Sequence, residues 1–500
     1  MSAWDGLCSG FSIVFTPETF LFCFFGVLMG TLVGVLPGLG PVGAMSLLLP
    51  LTFSQNVTTA QIMLCGIYYG AMYGGSTTSI LVNVPGEAAS VITCIDGYQM
   101  AKQGRAGPAL AIAAIGSFIA GTLGVFLLMM VAPPLARVAL KFGPPEFFAI
   151  ALLGLLVLSR LTGKSALKSY VLVLAGTLVA TVGVDPVSGY ARFAFGYPKL
   201  LEGIDFMPVG MGLYGIGEVL GSLRDRDDPR ELRMVRTKDL IPTRQDFKDS
   251  AGPILRGGMV GFFLGLIPGP ANIISTFVSY GLERKLSPRA EEFGRGAIAG
   301  VAGPESANNG ATAGALVPLL SLGIPFSPIP AILLAGFMIH GVLPGPLLIK
   351  NHPDVFWGII ASMYVGNVML LILNLPLVGL FARVALIPSR ILMPIVLIFC
   401  FLGAFAVRHS LFDLYVLIIF GMIGYLFRLR NYDPAPLALG LIIGPMLEDS
   451  LRQSMIMFGG DYLSFFRQPL SGLLLSATIL VGFSPLLPKM GWRIGRRRKG

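Results

Sequence analysis

Long apolar runs recur from one end of the chain to the other and leave little choice of fold. Each run is about 18 residues long or longer, which is enough for a helix to cross roughly 30 Å of hydrocarbon. They lie near residues 19–36, 60–82, 109–132, 145–160, 166–184, 297–322, 328–349, 355–380, 388–407, 411–427 and 469–487, and shorter or interrupted apolar segments lie at 37–53, 206–222, 254–282 and 435–447. The runs are continuous, whereas the strands of a membrane β-barrel alternate in polarity. The sequence therefore predicts an all-α polytopic membrane protein with about ten to twelve transmembrane helices.

The composition and the two ends of the chain agree with an integral membrane protein. Charged residues make up only 12% of the chain, against about 25% in soluble domains. The N-terminal 20 residues contain no Lys, no Arg and no small-residue cleavage pattern, so we expect the first span to be retained. The tail at 491–500 is rich in arginine, and the positive-inside rule places it in the cytoplasm. We interpret this tail as a determinant of topology in the lipid bilayer and expect no nucleic-acid partner.

One long polar interval divides the chain near its middle. The segment at 223–251 mixes both signs of charge with few apolar residues, which is typical of a loop between two halves. We therefore predict a first membrane repeat at 1–222, a connecting loop at 223–251, a second membrane repeat at 252–490 and a basic cytoplasmic tail at 491–500.

A series of glycines indicates that the two halves are related. Glycine recurs every four residues at 26, 30, 34 and 38, with Pro37 before the last, and again at 257, 261, 265 and 269, with Pro268 before the last. The same spacing along the chain separates each of the five positions from its counterpart. A second and weaker match aligns "YGGSTTSILV" at 73–82 with "NNGATAGALV" at 308–317, at a slightly longer spacing. These matches predict two structural repeats.

Each glycine series ends in a proline that must break a helix inside the membrane. Pro37 removes a helical hydrogen bond, and Gly38 and Gly40 accept backbone angles that other residues avoid. Because an unpaired backbone group in lipid costs several kcal/mol, such breaks persist only where protein buries them or a watery cavity receives them. Matched breaks in two repeats are typical of the midplane site of a secondary transporter, and close helix packing is the alternative explanation for the glycines.

The basic segments on either side of the second break constrain its topology. The loop at 223–251 and the segment at 283–295 are both basic enough to prefer the cytoplasm, yet only about one span separates them. We therefore predict that 252–282 is a re-entrant hairpin that turns at Pro268–Gly269–Pro270. We also predict that the second repeat is inverted relative to the first.

Polar residues cluster near the breaks in a pattern that places them on one face of a helix. They are Ser76, Ser79 and Asn83 in the first half and Glu305, Asn308 and Thr312 in the second. Hydrogen bonds between helices explain the hydroxyl groups equally well. An acid flanked by apolar spans is costly, so Glu305 either binds a coupling cation or a proton, or caps the helix that begins there.

Five stretches of this sequence, taken in order, resemble the TctA family, the large membrane subunit of bacterial tripartite tricarboxylate transporters. They are "GVLPGLGPVGAMSLLLPLTF", "YGGSTTSILVNVPGE", "GLIPGPANIISTFVSYGLERK", "GPESANNGATAGALVPLLSLGIP" and "GFMIHGVLPGPLL", and the likeness covers roughly residues 15–485. The resemblance implies a multi-pass protein of the bacterial inner membrane that takes up citrate or a related carboxylate with a sodium or proton gradient. It also implies two partners, a periplasmic solute-binding protein and a small four-span membrane subunit.

The segments around the breaks contain almost no Lys or Arg, which limits how a carboxylate can be held. Backbone amides, hydroxyls and amide side chains at the positive ends of half-helices are the remaining donors. The candidate substrate-binding residues are Pro37, Gly38, Gly40, Ser76, Thr77, Ser79, Asn83, Pro268, Gly269, Asn272, Asn308, Asn309 and Thr312. Glu305 is the candidate for binding the coupling cation, and carbonyl groups released at the breaks suit sodium.

Two other functions stay open at this point. A stand-alone secondary transporter of another small solute fits the same breaks. A membrane-embedded enzyme needs a nucleophile with a base, or a cluster of metal ligands, and the sequence contains no such constellation. We therefore expect no catalysis, no resident metal and no cofactor apart from the coupling ion, Na⁺ or H⁺.

Overall fold

The described part of the chain is helical almost throughout. The structure is a computed structural model, and it describes residues 3–36, 40–161, 165–185, 188–222, 240–384 and 389–483. The α-helices of the first half are α1 (Ala3–Val14), α2 (Pro17–Val35), α3 (Gly40–Leu48), α4 (Val57–Val82), α5 (Val91–Lys102), α6 (Ala106–Ala139), α7 (Pro144–Leu161), α8 (Ala166–Ala180), α9 (Pro198–Leu201), α10 (Phe206–Gly210) and α11 (Gly217–Ser222). Those of the second half are α12 (Arg244–Gly265), α13 (Ala271–Leu286), α14 (Ala299–Leu322), α15 (Pro328–Ile339), α16 (Leu348–Asn351), α17 (Pro353–Asn374), α18 (Val378–Val384), α19 (Ser389–Arg408), α20 (Leu411–Leu429), α21 (Ala435–Met457), α22 (Ser464–Arg467) and α23 (Pro469–Phe483).

Short elements connect some of these helices. They are 3₁₀ turns at Leu49–Thr52, Ala88–Ser90 and Ala290–Glu292, a π-helical turn at Met211–Ile216 between α10 and α11, and the two-residue strands β1 (Gly183–Val184) and β2 (Ala191–Arg192). The strands pair antiparallel, with Gly183 opposite Arg192. The predicted helical fold class is therefore confirmed for the described residues.

The described helices have the properties of a multi-pass membrane protein. Four of them, α2, α6, α17 and α20, are long and apolar enough to cross a membrane by themselves. Shorter apolar helices lie at Gly40–Thr52, Pro144–Val157, Leu167–Ala180, Pro328–Ile339, Met393–Phe405 and Pro469–Gly482. Many large apolar side chains, such as Leu174 and Leu473, are exposed on the outside, as expected for contact with lipid. The number of spans stays a prediction, because several helices are shorter than a full span.

Helix α2, which ends just before the first predicted break, packs closely along α4. A Cβ atom on Gly26 would overlap the carbonyl oxygen of Met63, and one on Gly34 would overlap that of Ala71. Because residue numbers rise together along this contact, α2 and α4 are parallel. The glycines of α2 therefore allow its backbone to touch that of α4, which is the packing alternative considered for the glycine series.

The second break forms the hairpin that the sequence predicts. Two nitrogens of Arg256 on α12 donate to the carboxylate of Glu283 on α13, at 2.9 and 2.6 Å. Arg289, beyond the end of α13, also pairs with Asp249 near the start of α12. The two arms are therefore antiparallel and turn at Pro268–Gly269–Pro270, which confirms the helical hairpin, whereas its re-entrance into the membrane stays a prediction. The location of both its ends in the cytoplasm stays a prediction.

The arms of this hairpin extend beyond the predicted bounds of 252–282. Helix α12 begins at Arg244, inside the segment predicted as connecting loop. The hydroxyl of Thr243 accepts a hydrogen bond from the backbone N–H of Asp246, whose carboxylate accepts one from the N–H of Thr243. This reciprocal cap starts the helix within polar sequence. The rest of the predicted loop, at 223–239, and the predicted tail at 491–500 lie outside the described residues.

Helix α12 of the hairpin packs on α14 in the same way as α2 packs on α4. A Cβ atom on Gly257 would overlap the carbonyl oxygen of Gly303, and one on Gly265 would lie 2.6 Å from that of Ala311. Helices α12 and α14 are thus parallel. The contacts of α12 match those of α2 in the register that the two glycine series predict.

The two partner helices correspond in a different register from the one that the sequence predicts. Gly70 and Gly310 contact equivalent parts of α2 and α12, whereas the weaker sequence match pairs Gly310 with Gly75. That match is therefore wrong for the packing. In the register of the packing, both helices end at a left-handed residue, Asn83 with φ of +57° and Gly323 with φ of +74°, and a proline follows two residues later in each case. The alignment of the two sequence segments gave the wrong register because several glycines allow more than one alignment.

Helices α4 and α14 run in opposite directions where they meet. The hydroxyl of Tyr68 donates to Asn272, which in turn donates to Thr312, and further along α4 the hydroxyl of Ser76 donates to Glu305. Rising numbers on α4 therefore meet falling numbers on α14. The organisation into two repeats and the inversion of the second stay predictions.

Candidate functional site

A cavity of about 300 Å³ lies where the broken helices meet. It is lined by the first residues of α3, α13, α15 and α21, by the acid before the 3₁₀ turn at Ala88–Ser90, by one methionine of α4 and by one tyrosine of the π-helical turn. We call it the central cavity. It lies between segments from both halves of the sequence.

Three helices begin at the central cavity. They are α3 at Gly40, α13 at Ala271, whose N–H already donates to the carbonyl of Gly269, and α15 at Pro328, whose first turn contains two prolines and so has fewer N–H groups. The N-terminal amides of a helix carry a partial positive charge and bind anions well. A Cβ atom on Gly40 would meet no atom within 4 Å, so there is open space beside this backbone. The converging helix ends therefore favour an anionic ligand.

Two acids occupy the other helix ends at this cavity. The carboxylate of Glu87 accepts hydrogen bonds from the backbone N–H of Ala89 and from the side chain of Asn308, both at 2.9 Å. The carboxylate of Asp433 accepts one from the backbone N–H of Ala435 at 2.9 Å. Among the described residues that line the cavity there is no Lys or Arg. An anion in the cavity would therefore lie near two carboxylates.

Two hydroxyl groups at the cavity have no hydrogen-bond partner. Ser327 is only 5% exposed and precedes α15, and its hydroxyl makes no capping bond. The hydroxyl of Tyr214, on the π-helical turn, is also buried and unpaired. Unpaired buried hydroxyls are uncommon because each loses its bonds to water. Both groups line the central cavity, so a ligand there can supply the missing partner.

Asn272 connects the cavity wall to α4 and α14. Its side-chain nitrogen lies 2.9 Å from three oxygens, the backbone and side-chain oxygens of Asn308 and the hydroxyl of Thr312. Its side-chain oxygen accepts a hydrogen bond of 3.1 Å from Tyr68. Since an amide nitrogen has two hydrogens, it satisfies only two of these oxygens at once. The hydroxyl of Thr312 also donates to the backbone oxygen of Asn308 at 3.1 Å, so these groups form one hydrogen-bonded cluster behind the cavity wall.

Glu305 lies inside α14, which begins at Ala299, so the alternative that it caps the start of this helix is wrong. Its side chain is buried between the two halves. It is 1% exposed, and its carboxylate accepts hydrogen bonds from Ser76 at 2.5 Å and from Thr93. No Lys or Arg of the described residues pairs with it. Glu305 lies one turn before Asn308, which contacts Glu87. The two buried acids are therefore connected through one turn of α14.

A second, much smaller cavity lies beside Ser76. It has a volume of about 10 Å³ and is lined partly by Tyr73, Thr77, Ser117 and Asn374. The hydroxyl of Tyr73 and the side-chain oxygen of Asn374 are buried and unpaired. Such a volume holds about one water molecule. Its oxygen-rich wall suits a water molecule or a sodium-sized cation near Glu305.

The structure brings several of the predicted site residues together. Gly40 and Asn272 line the central cavity. Asn308 and Thr312 contact Asn272, and Ser76 contacts Glu305. Thr77 lines the smaller cavity.

Three other predicted residues lie apart from these contacts. The hydroxyl of Ser79 donates to the carbonyl of Gly75 within its own helix. Asn83 is exposed at the left-handed end of α4. The side chain of Asn309 donates to the carbonyl of Glu305 on its own helix. Helical spacing predicts a shared face, but it does not show which neighbour that face meets.

The predictions for the residues at the two breaks have different outcomes. Pro37 and Gly38 lie outside the described residues. Pro268 lies in the hairpin turn next to Gly269, whose φ is +145°. The amide of Gly269 donates to the carbonyl of Phe326 at 2.9 Å. The expectation that this amide is open to an anion is therefore wrong, because the turn uses it to attach the hairpin to the segment that follows α14.

Sequence reasoning missed the four residues with hydroxyl or carboxyl side chains that line the central cavity. They are Glu87, Tyr214, Ser327 and Asp433. The register that pairs the left-handed ends of α4 and α14 also pairs Glu87 with Ser327, each two residues after the proline that follows such an end. That signal is present in the sequence for these two. Tyr214 and Asp433 come from distant helices and carry no comparable pattern.

Known proteins match this chain over most of its length. The family model of the tripartite tricarboxylate transporter TctA family matches residues 20–439. A protein of Agrobacterium vitis, described as an uncharacterized 52.8 kDa protein in TAR-I ttuC' 3'region, is 47% identical over 490 residues, which are 98% of this chain and 97% of that protein. Another from the same organism, described as an uncharacterized protein in TAR-II ttuC' 3'region, is 44% identical over 230 residues, which are 46% of this chain and 95% of that protein. No solved structure matches this chain.

Proposed function

Because this chain belongs to the tripartite tricarboxylate transporter TctA family, we propose that it is the translocating subunit of a secondary transporter that takes up citrate or related carboxylates. The family is a transporter family, which agrees with the expectation that the chain is not an enzyme. The observation that carries the proposal is the convergence of three helix starts and two unpaired hydroxyls on one cavity.

The central cavity offers a carboxylate the donors that it needs. The N-terminal ends of α3, α13 and α15 supply partial positive charge, and Ser327 and Tyr214 supply hydroxyl donors. Hydrogen bonds to a charged group contribute about 1.5–3 kcal/mol each. A few such bonds hold the anion without any buried Lys or Arg.

The two acids at the cavity give a physical reason for coupling to a cation. Glu87 and Asp433 add negative charge where the anion binds, and Glu305 lies one turn of α14 from the Glu87 contact. Like charges in a low-dielectric site repel each other strongly. A sodium ion or a proton near Glu305 and Glu87 offsets this repulsion, so each ligand raises the affinity for the other. Uptake of the anion then depends on the cation gradient.

The arrangement of two units, α2 to α4 and α12 to α14, supports alternating access. Helix α2 packs parallel to α4, α12 packs parallel to α14, and α4 and α14 run in opposite directions. We propose that the units are inverted repeats at 1–222 and 252–490. Repeats of this kind hold a midplane site and open it to the two sides in turn. Of the other predicted substrate residues in these units, we retain Pro37, Gly38, Asn308 and Thr312 as proposed substrate contacts, whereas Ser76 and Thr77 lie at the smaller cavity near Glu305.

The family relationship also supports the proposed partners and location. Transporters of this family are tripartite, so we propose a periplasmic solute-binding protein and a small four-span membrane subunit as partners. We place the chain in the bacterial inner membrane with a cytoplasmic C-terminus.

Uptake of labelled citrate by proteoliposomes tests the proposal. The full-length chain is reconstituted with the small subunit, and citrate is supplied with its binding protein, with and without an inward sodium gradient or proton gradient. We expect accumulation only with the partners and one of the gradients. Uptake of another solute by the chain alone, with no citrate uptake under any condition, would instead support a stand-alone transporter.

A further inference from the structure

We propose that a third cavity, distinct from the central cavity and from the small cavity beside Ser76, is a separate binding site for small polyanions such as di- and tricarboxylates. This inference rests on the proposed function, since it makes the third cavity a station, that is, a site that the same class of substrate occupies during transport. The cavity has a volume of about 210 Å³ and lies between the start of α8 and the loop that joins α20 to α21. We call it the basic cavity, because Lys168 and Arg430 line it.

The polar groups of the basic cavity fit a carboxylate. The ammonium group of Lys168 lies 4.3 Å from the centre of the Tyr432 ring, which holds it by a cation–π contact. Among the described residues, no acid forms an ion pair with Lys168 or Arg430. Ser165 precedes α8, and its side chain makes no capping hydrogen bond. Two cations and the Ser165 hydroxyl, with one carboxylate from Asp433, therefore line a space that holds about seven water molecules, the size of a small organic acid.

Asp433 connects the basic cavity with the central cavity, because it lines both. Its carboxylate is fixed by the hydrogen bond from the N–H of Ala435 at the start of α21. An anion in either cavity therefore lies near this negative charge. Repulsion at this point makes the two cavities distinct sites with a barrier between them, rather than one continuous pocket.

The position of the basic cavity relates it to one face of the membrane. The ring of Phe465, just before α23, lies 5.4 Å from that of Phe148 on α7, and Gly482 near the end of α23 lies beside Leu156. Helices α7 and α23 are thus parallel, and both end at the face where α8 begins. The basic sequence at 491–500 follows α23. The positive-inside rule therefore assigns the basic cavity to the cytoplasmic side, where it receives the anion that leaves the central cavity.

Labelling of a single cysteine tests this site directly. Ser165→Cys is introduced into the full-length chain after its native cysteines are replaced by alanine, and the protein is placed in nanodiscs of phosphatidylcholine. The rates of reaction with an anionic and a cationic methanethiosulfonate reagent are compared, with and without millimolar citrate. We expect the anionic reagent to react faster, and citrate to slow its reaction several-fold. Replacing both cations, by Lys168→Gln with Arg430→Gln, should lower the anionic-to-cationic rate ratio about fivefold or more and abolish protection by citrate.

Matched controls separate the possible causes. Lys199→Gln removes another exposed lysine, which pairs with Glu202 outside the cavity, and should leave the labelling unchanged. If citrate gives no protection, or protects equally well without the two cations, the proposed site is refuted. Protection by phosphatidylglycerol in the nanodisc, with none by citrate, would also refute it, because the occupant would then be a lipid headgroup.

The labelling experiment does not depend on transport, so the two proposals fail separately. Protection by citrate together with absence of citrate uptake would retain the anion site and reject the proposed function. Citrate uptake without protection at Ser165→Cys would retain the proposed function and reject the basic cavity as a station.

Discussion

Removal of the Ser327 hydroxyl should affect ligand binding and folding in opposite directions. This hydroxyl lines the central cavity, is buried and has no partner in the protein. If it donates to a bound carboxylate, Ser327→Ala removes a hydrogen bond to a charged group. If it has no ligand, the same change only removes an unsatisfied polar group from the interior.

The sizes of the two effects follow from this environment. A hydrogen bond to a charged group is worth about 1.5–3 kcal/mol, and each 1.4 kcal/mol is about tenfold in affinity. We therefore expect the dissociation constant for citrate to rise roughly 10- to 150-fold. A buried hydroxyl without a partner costs about 1–3 kcal/mol, so the unliganded variant should be as stable as the parent protein or more stable.

Equilibrium binding of labelled citrate and thermal unfolding in the same detergent measure both quantities. Ser306→Ala is the matched control, because the hydroxyl of Ser306 is also buried and unpaired but does not line the central cavity. This control should show the same effect on stability and no change in citrate affinity. An unchanged citrate affinity in Ser327→Ala, or an equal loss in both variants, would refute the assignment of Ser327 to the substrate.

Three further sets of changes test the coupling, the glycines and the topology. Glu305→Gln should leave the protein inserted in the membrane but weaken the dependence of uptake on cation concentration. An unchanged cation dependence would show that Glu305 has a structural role only. Gly40→Ala, at a φ of +58° with open space around it, should raise the half-saturating citrate concentration several-fold at normal expression, because left-handed backbone costs alanine roughly 1–2 kcal/mol. Gly30→Ala should instead lower the melting temperature, since its Cβ would overlap the Ile67 carbonyl oxygen, and a loss of affinity alone would contradict this packing role. Cysteines in place of Lys248 and Lys285, on the two arms of the hairpin, should react with an impermeant reagent from the same side of sealed vesicles, and reaction from opposite sides would exclude the re-entrant hairpin.

The sequence predicts the breaks well because proline and glycine act locally. Pro268 and Gly269 form the turn of the second hairpin, as predicted from these two residues alone. The same local rule cannot show that the amide of Gly269 bonds to Phe326, because Phe326 is distant in sequence. It therefore predicts where the backbone turns, and it does not predict which amides stay free.

The wall of the central cavity depends on contacts that sequence patterns do not encode. Ser327 was recoverable from the matched ends of α4 and α14, once Asn83 is aligned with Gly323. Tyr214 and Asp433 reach the cavity from the π-helical turn and from the segment just before α21. Nothing in the spacing of these residues separates them from other tyrosines and aspartates of the chain. Only the packing of distant helices places them at the site.

The occupant of the central cavity is tested most directly by a cryo-EM map of the full-length protein in lipid nanodiscs with citrate at a concentration that saturates uptake. We predict density for citrate within hydrogen-bond distance of the hydroxyls of Ser327 and Tyr214, next to the first turns of α3 and α13. Citrate density at another place, with the central cavity free of it, would contradict the assignment of this cavity as the substrate site.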